Sequence, residues 1–348
     1  MSVFTAPDFA DHEQVVFASD PSSGLRAIIA LHDTTRGPAL GGCRMWLYPH
    51  EDDAIADALR LSRGMTYKSA LAELPFGGGK AVVLGDPSRD KTDVLWEAFG
   101  RAIESLGGAY VTAEDVGTSV ADLEVVRRTT THVAGIAEGG AGDPSPATAL
   151  GVFVGIKAAL RHRLGVSDVN GLRVAVQGLG HVGVGLAGLL AEAGAKLIVA
   201  DIDPVRVASA VREFDAQPAD PANIHTQEAE VFSPCALGAV LNDVTIPDLR
   251  APVVAGSANN QLAEARHGAA LSDRGILYAP DYAINAGGII HIAYESTRTG
   301  RAYDRQAAFA HVGRIHDTLT EIFGLADNGG IPTSVAADRL AEARLGAA

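Results

Sequence analysis

The residues of this 348-residue chain best suited to chemistry are two lysines, an aspartate and a spaced set of glycines. Lys80 follows Gly77-Gly78-Gly79 and leads into the apolar run AVVLG. A glycine run reads as a loop stripped of side chains, against which a ligand or another stretch of backbone can lie. A lysine anchored there is aimed into that space. The segment is not a P-loop, which would need Gly at position 74 and Ser or Thr at 81 where this chain has Leu74 and Ala81. Lys68 follows an apolar helix face, and Asp115 lies just past a short strand, where polar residues often line sites in α/β folds. The plain alternatives are solvated surface charges for the lysines and a helix-capping role for Asp115 near Ser119. The chemistry that suits the set is oxidation of an amino acid. One ammonium binds the substrate carboxylate. The other amine takes the amino proton and later activates water on the imine. Two ammonium groups held close and partly buried depress each other's pKa, which makes one of them a usable base. A nearby carboxylate tunes the pair.

A second constellation binds rather than reacts. Residues 172–183, LRVAVQGLGHVG, contain Gly178-x-Gly180-x-x-Gly183. The spacing alone is weak in a chain with 39 glycines. Its setting strengthens it: the apolar strand Val174-Ala175-Val176 precedes it, a helix carrying Val184, Leu186, Leu189 and Leu190 follows, and a second strand, LIVAD, ends in Asp201. An acid about 20 residues past the glycines is what a dinucleotide fingerprint expects. Gly178 allows the tight turn, Gly180 the approach of the pyrophosphate to helix N–H groups, and Gly183 close helix-to-strand packing. Leu179, His181 and Val182 fill the rest of the loop. Asp201 can accept hydrogen bonds from ribose hydroxyls and would repel a 2′-phosphate, which favours NAD over NADP, with Asp203 as the competing acid.

The elements that position these residues divide the chain in two. Up to about residue 135, strands and helices mix: a strand at 25–33 with neighbours at Val15–Phe17 and Cys43–Tyr48, a helix from Glu51 running past Lys68, the glycine loop, a helix over 92–106 ended by Gly107-Gly108, and a short strand at 110–112. Residues 137–146, AEGGAGDPSP, are the best linker. Beyond them a helix over 147–164, with Ser145 as N-cap, is followed by alternation: strands at 172–177, 196–201, 253–256 and 276–278 separated by helices. This is the pattern of a parallel, doubly wound sheet. The class is therefore α/β with two domains: an N-terminal mixed α/β catalytic domain over 1–135, and a Rossmann-type NAD-binding domain over 136–329.

Bulk properties agree. Net charge is −14 and no basic stripe is present, which argues against nucleic acid. The two cysteines, Cys43 and Cys235, form neither a CxxC zinc pattern nor a disulfide framework, so no metal is expected. No apolar run reaches a membrane span and the N-terminus lacks a leader pattern. The expectation is a cytoplasmic protein without a membrane partner.

The segments HDTTRGPALGG (32–42), RMW (44–46), ALRLSRGMTYKSA (58–70), FGGGKAV (76–82), TAEDVGT (112–118), AVQGLGHV (175–182), PCALGA (234–239), AGSANNQL (255–262) and APDYAINAGG (279–288) resemble the leucine dehydrogenase branch of the Glu/Leu/Phe/Val amino-acid dehydrogenases. The resemblance spans nearly the whole chain. It implies that Lys80 is the catalytic base, that Lys68 holds the substrate carboxylate and that Asp115 shuttles protons. It places Thr148 and Asn259 near the nicotinamide and substrate, with Ala236 also at the cofactor. It lines the substrate pocket with Gly41 and Gly42, and sets Leu40, Ala113 and Ile290 or His291 against the substrate side chain. It further implies a cleft that closes over substrate and excludes water, a homo-oligomer, and return of the last helices, about 330–348, to the first domain. Cys43 and Ser69 depart from the leucine enzymes, which usually carry Thr and Asn. Phe76, Gly79 and His291 look more like the phenylalanine enzymes, whereas Ala113 fits the leucine ones.

The expected activity is reversible, NAD-dependent oxidative deamination of leucine, valine or isoleucine to the 2-oxo acid and ammonia. A phenylalanine-type enzyme is the alternative. A 2-hydroxy-acid dehydrogenase would share the dinucleotide domain but needs a catalytic His beside a carboxylate, and His181 does not fit that role. A non-catalytic NAD-binding protein would have no use for Lys68, Lys80 and Asp115.

Overall fold

The computed structural model describes residues 3–136, 141–295 and 303–347. The chain forms two compact units: Met1–Asp143 with Ile292–Arg305 and Ala341–Ala348, and Pro144–His291 with Gln306–Leu340.

The first unit holds β1 (Gln14–Asp20), β2 (Leu25–Asp33), β3 (Ala39–Trp46), α1 (Glu51–Leu71), β4 (Gly77–Leu84), α2 (Asp93–Glu104), β5 (Tyr110–Glu114) and α3 (Val120–Val126). Its five-stranded sheet runs β1-β2-β4-β3-β5. β2 pairs antiparallel with β1 and β4, and β3 pairs parallel with β4 and β5. The stretch expected to lie beside β2, Cys43–Tyr48, is separated from it by β4. The reason is the β3–α1–β4 crossover, which returns the chain parallel to β3 and inserts β4 between the two.

The glycine run is also not a loop. Gly77, Gly78 and Gly79 are the first residues of β4 and are buried. A Cβ on Gly77 would stand 2.0 Å from the Asp33 carbonyl oxygen, and one on Gly78 2.0 Å from the Thr66 backbone nitrogen. A Cβ on Gly79 would stand 2.8 Å from the Tyr110 ring. The missing side chains therefore make room for the protein itself.

One face of the sheet packs on α1 through Ile28, Ala30, Val82, Ala54, Ala58 and Leu59. The other packs on α2 and α3 through Ile29, Ala81, Val83, Trp96, Phe99 and Val126. Cys43, fully buried, belongs to this second core and not to the α1 face. Thr92 caps α2 by accepting from Leu95 N–H at 3.1 Å. Ser119, not Asp115, caps α3 in a capping box with Asp122, a device whose loss costs about 1 kcal/mol.

The second unit begins with α4 (Ser145–Leu164), capped at Pro144 one residue before the expected Ser145. It continues through β6 (Arg173–Gln177), α5 (His181–Glu192), β7 (Lys196–Ala200), α6 (Pro204–Phe214), β8 (Gln217–Pro218), β9 (Val231–Pro234), α7 (Thr245–Asp248), β10 (Val253–Val254), α8 (Arg266–Asp273), β11 (Leu277–Tyr278), α9 (Asp281–Ile284) and α10 (Gly287–Ala293). Helices α11 (Arg305–Gly313), α12 (Ile315–Gly329) and α13 (Thr333–Gly346) close the chain. The order β11-β10-β9-β6-β7-β8 with parallel pairing throughout is the doubly wound arrangement. The linker proposed at 137–146 lies partly outside the described residues.

The last turns of α13 belong to the first unit. Tyr67 donates to Glu342 at 2.9 Å, and Arg344 donates to the Leu71 carbonyl at 2.6 Å. No described helix is long and apolar enough to cross a membrane.

Candidate active site

In the first unit, strand alternation puts Gly78, Lys80 and Val82 on the α1 face of β4. Lys80 sits opposite Ala30 of β2 and is only 5% exposed. A buried ammonium requires a partner. Its Nζ donates to Oδ2 of Asp115 at 2.6 Å. Asp115 follows β5, and its backbone N–H donates to the Thr118 hydroxyl, which lies 2.9 Å from the Cys43 carbonyl oxygen. Burial pushes the Asp115 carboxyl up, but the Lys80 ammonium and the Arg44 guanidinium outweigh it and hold the group below the ordinary carboxylate value. Burial pushes the Cys43 thiol far up, so it is an inert core group.

Arg44 of β3 donates through Nε to the same Asp115 Oδ2 at 3.2 Å and through a terminal nitrogen to Asp57 of α1 at 2.7 Å. Asp57 also accepts from Tyr48 at 2.6 Å and Arg60 at 2.9 Å. Arg44, Asp57 and Tyr48 were not singled out from the sequence. Arg44 and Asp57 each carried a signal: Arg44 is one pleat repeat from Gly42 on β3, and Asp57 is eleven residues, three helical turns, before Lys68. Tyr48 carried none.

Lys68 lies half-buried in the last turn of α1. It shares a helix face with Asp57 at a separation of about 16 Å along the axis. Met65, just before it, reaches to 3.3 Å of the place a Gly41 Cβ would occupy. Leu40 and Ala113 are buried on neighbouring strands, with Leu40 opposite Val111 and Gly42 opposite Ala113. Ser69 is fully buried and donates to the Gly77 carbonyl at 3.4 Å.

In the second unit, Gly178 follows β6 at φ 96°, a left-handed conformation that favours glycine. A Cβ there would meet Ala236 at 2.9 Å; one on Gly183 would meet the Gly178 carbonyl oxygen at 2.0 Å. Gly180 differs: nothing lies within 4 Å of its would-be Cβ. Gly178, Gly180, Asp201 and Ala236 line a cavity of ≈ 640 Å³ at the carboxyl ends of the strands. Asp201 Oδ2 accepts from the Leu179 N–H at 2.6 Å and Oδ1 from the Asp203 N–H at 2.8 Å. Leu179 thus serves through its backbone, because its side chain is buried. His181 is exposed and Val182 half-buried.

The other residues of the second unit gather elsewhere. Thr148 lies on α4, its hydroxyl 2.8 Å from a would-be Gly288 Cβ. Exposed Asn259 accepts from the Asn285 side chain at 2.7 Å. Ile290 and His291 are buried, and the His291 ring meets Phe309 edge-on at 5.9 Å. Asp243, Glu264 and His267 converge closely enough to consider a metal. However, Arg266 pairs with both carboxylates, and His267 Nδ1 accepts from the Glu264 N–H, which leaves the proton on Nε2 facing Asp243. These contacts make an ion-pair cluster.

A charged cluster on one sheet and a glycine-lined cavity on the other are the two halves that a dehydrogenase needs. The family model for the Glu/Leu/Phe/Val dehydrogenase dimerisation domain matches residues 12–132. The Glutamate/Leucine/Phenylalanine/Valine dehydrogenase model matches 139–205 and 203–323. The chain belongs to the Glu/Leu/Phe/Val dehydrogenase family. It is an oxidoreductase of the NAD(P)-dependent amino-acid dehydrogenases. It is 52% identical over 347 residues to leucine dehydrogenase of Geobacillus stearothermophilus, covering 99% of this chain and 94% of that one. It is 46% identical over 343 residues to phenylalanine dehydrogenase of Bacillus thermotolerans, covering 97% and 89%. The crystal structure of L-tryptophan dehydrogenase from Nostoc punctiforme superposes with a TM-score of 0.85 at 44% identity, covering 97% of this chain and 96% of that one. The relatives are named for amino-acid substrates that range from leucine to tryptophan.

Proposed function

We propose that the chain oxidatively deaminates small apolar L-amino acids, with leucine, valine and isoleucine preferred, and uses NAD. The observation that carries the reading is the buried Lys80 amine held 2.6 Å from a carboxylate that stays ionised. Such an amine is fixed in place and can exchange its proton.

NAD suits the second unit because Gly180 has an open Cβ side that leaves room for a pyrophosphate, and a cavity adjoins it. Gly178, Gly180 and the α5 N-terminus would hold the phosphates, Asp201 the ribose hydroxyls, and Thr148 and Asn259 the nicotinamide end. Each Asp201 oxygen has one backbone N–H partner and a lone pair left for a ribose hydroxyl. When bound, NAD supplies the acceptor for the hydride that leaves the substrate Cα.

The protein's own residues handle the protons. Lys68 fixes the substrate carboxylate. Lys80, in its amine form, takes a proton from the substrate ammonium before the Cα–H bond breaks. While the imine forms, Lys80 passes that proton by way of Asp115 to solvent; the regenerated amine then takes a proton from the attacking water and delivers it to the carbinolamine nitrogen, and ammonia departs with the hydroxyl proton as ammonium, leaving the 2-oxo acid. Asp115 orients the amine and receives its proton only transiently. The preference for branched side chains rests on the higher identity to leucine dehydrogenase, 52% against 46% for the phenylalanine enzyme.

The test is a panel of leucine, valine, isoleucine, phenylalanine, tryptophan and lactate with NAD and with NADP, compared by kcat/KM. Leucine with NAD should rank first. A best rate with lactate, or none with any amino acid, overturns the reading; a best rate with phenylalanine moves the chain to the aromatic branch.

A further inference from the structure

We infer that Arg44 is a positioning residue for the Lys80–Asp115 pair: its guanidinium bridges Asp115 to Asp57 and fixes the carboxylate oxygen that the Lys80 amine uses. The inference rests on the proposed role of Lys80.

The geometry is specific. Lys80 Nζ and Arg44 Nε reach the same atom, Asp115 Oδ2, at 2.6 and 3.2 Å. A carboxylate held by two donors on one oxygen cannot turn without breaking both contacts. Arg44 is itself immobilised, because its far nitrogen lies 2.7 Å from Asp57 Oδ2. Asp57 in turn is held by Tyr48 Oη at 2.6 Å and Arg60 at 2.9 Å. The line therefore runs from the surface of α1, across β3, to the buried amine on β4. A lysine could neutralise Asp115 but offers a single nitrogen on a flexible stem, whereas the guanidinium reaches the two carboxylates from separate nitrogens fixed in one plane.

The charges around Asp115 give Arg44 a second effect. Lys80 faces it from β4 and Arg44 from β3. Asp57, Arg60 and Tyr48 stand behind Arg44, the Thr118 hydroxyl holds the Asp115 backbone, and the buried Cys43 thiol is neutral. Lys80 and Arg44 each hold the Asp115 carboxyl below its ordinary value. Without Arg44 one of those two cations is gone, and the Asp115 carboxyl becomes easier to protonate. Loss of Arg44 should therefore move the acid limb of the kcat/KM profile to higher pH, a change that loosened packing alone would not cause.

The experiment compares wild type, Arg44→Met, Arg44→Lys and Asp57→Asn as full-length protein, with kcat and KM for leucine and the pH profile of kcat/KM. Arg44→Met should lose kcat by about 10²-fold, the order expected for a misplaced catalytic group. Its KM should change little and its acid limb should rise by about one pH unit. Arg44→Lys should restore the limb but only part of kcat. Asp57→Asn should lower kcat in the same direction with the limb less affected. An Arg44→Met enzyme whose acid limb coincides with that of wild type overturns the inference, however slow it is. If that variant does not fold, an Asp57→Asn enzyme with wild-type kcat and profile overturns it. Absence of amino-acid oxidation in the wild type would instead remove the functional reading, and this inference with it.

Discussion

Lys80 and Asp115 touch at 2.6 Å although their strands are not neighbours: β3 lies between β4 and β5. The contact passes over Gly42 of β3, opposite Ala113 of β5, where a Cβ would stand 2.8 Å from the Asp115 Cβ and 2.5 Å from the Glu114 carbonyl oxygen. A missing side chain on the middle strand is what lets the outer two meet.

Gly42→Ala is accordingly expected to push Asp115 away from Lys80 and Arg44. Overpacking of this kind costs about 1–3 kcal/mol, so the melting temperature should fall. kcat should fall more steeply than stability alone explains when both are measured below the melting transition. An alanine enzyme with unchanged kcat would show that Asp115 keeps its place by other means.

Lys80→Ala should abolish turnover while NAD still binds, since the cavity proposed for the dinucleotide is lined by residues of the other unit. Isothermal titration with NAD beside a turnover assay checks both halves. Lys68→Ala should mainly raise KM for the amino acid by removing the carboxylate's charge partner; an unchanged KM would take Lys68 out of the site.

Asp201→Ala should weaken NAD and relax the discrimination against NADP. The structure adds a cause beyond the ribose: Asp201 is also the acceptor for the Leu179 N–H, so its loss should loosen the glycine turn. A kcat/KM ratio for NAD over NADP that does not move would clear Asp201 of selecting the cofactor.

Acid should destabilise the first unit through a histidine pair behind α1. His12 and His32 meet edge-on at 4.9 Å, with His12 near Ser62 Oγ at 3.0 Å and His32 near Thr66 Oγ1 at 2.9 Å. Burial and the neighbouring His12 push His32 down from 6.5 to about 4; burial lowers His12 as well. The unfolded chain then binds more protons between these values, so stability rises with pH across that window and is lost as pH falls from 6.5 toward 4. Asp115, lowered below 3.8, adds a loss of the same sign at still lower pH. Melting curves across the range should show the slope, and His32→Gln should flatten it. A flat wild-type profile would mean that the pair is solvated.

What could be read from the sequence was what lies close together along the chain. The strand–glycine–helix turn was legible because strand, glycines, helix and acid follow one another within residues 173–201, and the contacts that shape it are local. The alternation of β6, α5, β7 and α6 was legible for the same reason. The run Gly77–Gly79 reads as a loop in the sequence because glycine is unfavourable in strands. What overrode that preference is three non-local neighbours: the Asp33 carbonyl, the Thr66 backbone and the Tyr110 ring. Strand β9 is four residues ending in proline, too short to carry a period. The Arg44–Asp57 link joins a strand to a helix; spacing relates Arg44 to Gly42 and Asp57 to Lys68, each within its own element, but it does not relate the two elements to each other.

The carboxyl-terminal turns of α13 have a practical bearing on the proposed role of Lys68. Glu342 takes the Tyr67 hydroxyl, Arg344 reaches the Leu71 carbonyl, and Arg36 ties the Arg344 carbonyl at 3.0 Å. These contacts splint the stretch of α1 on either side of Lys68. With Lys68 in the carboxylate-binding role proposed above, a purification tag that loosened this splint would register as poorer capture of the amino acid, so assays meant to rank substrates are best run on protein tagged at the other terminus.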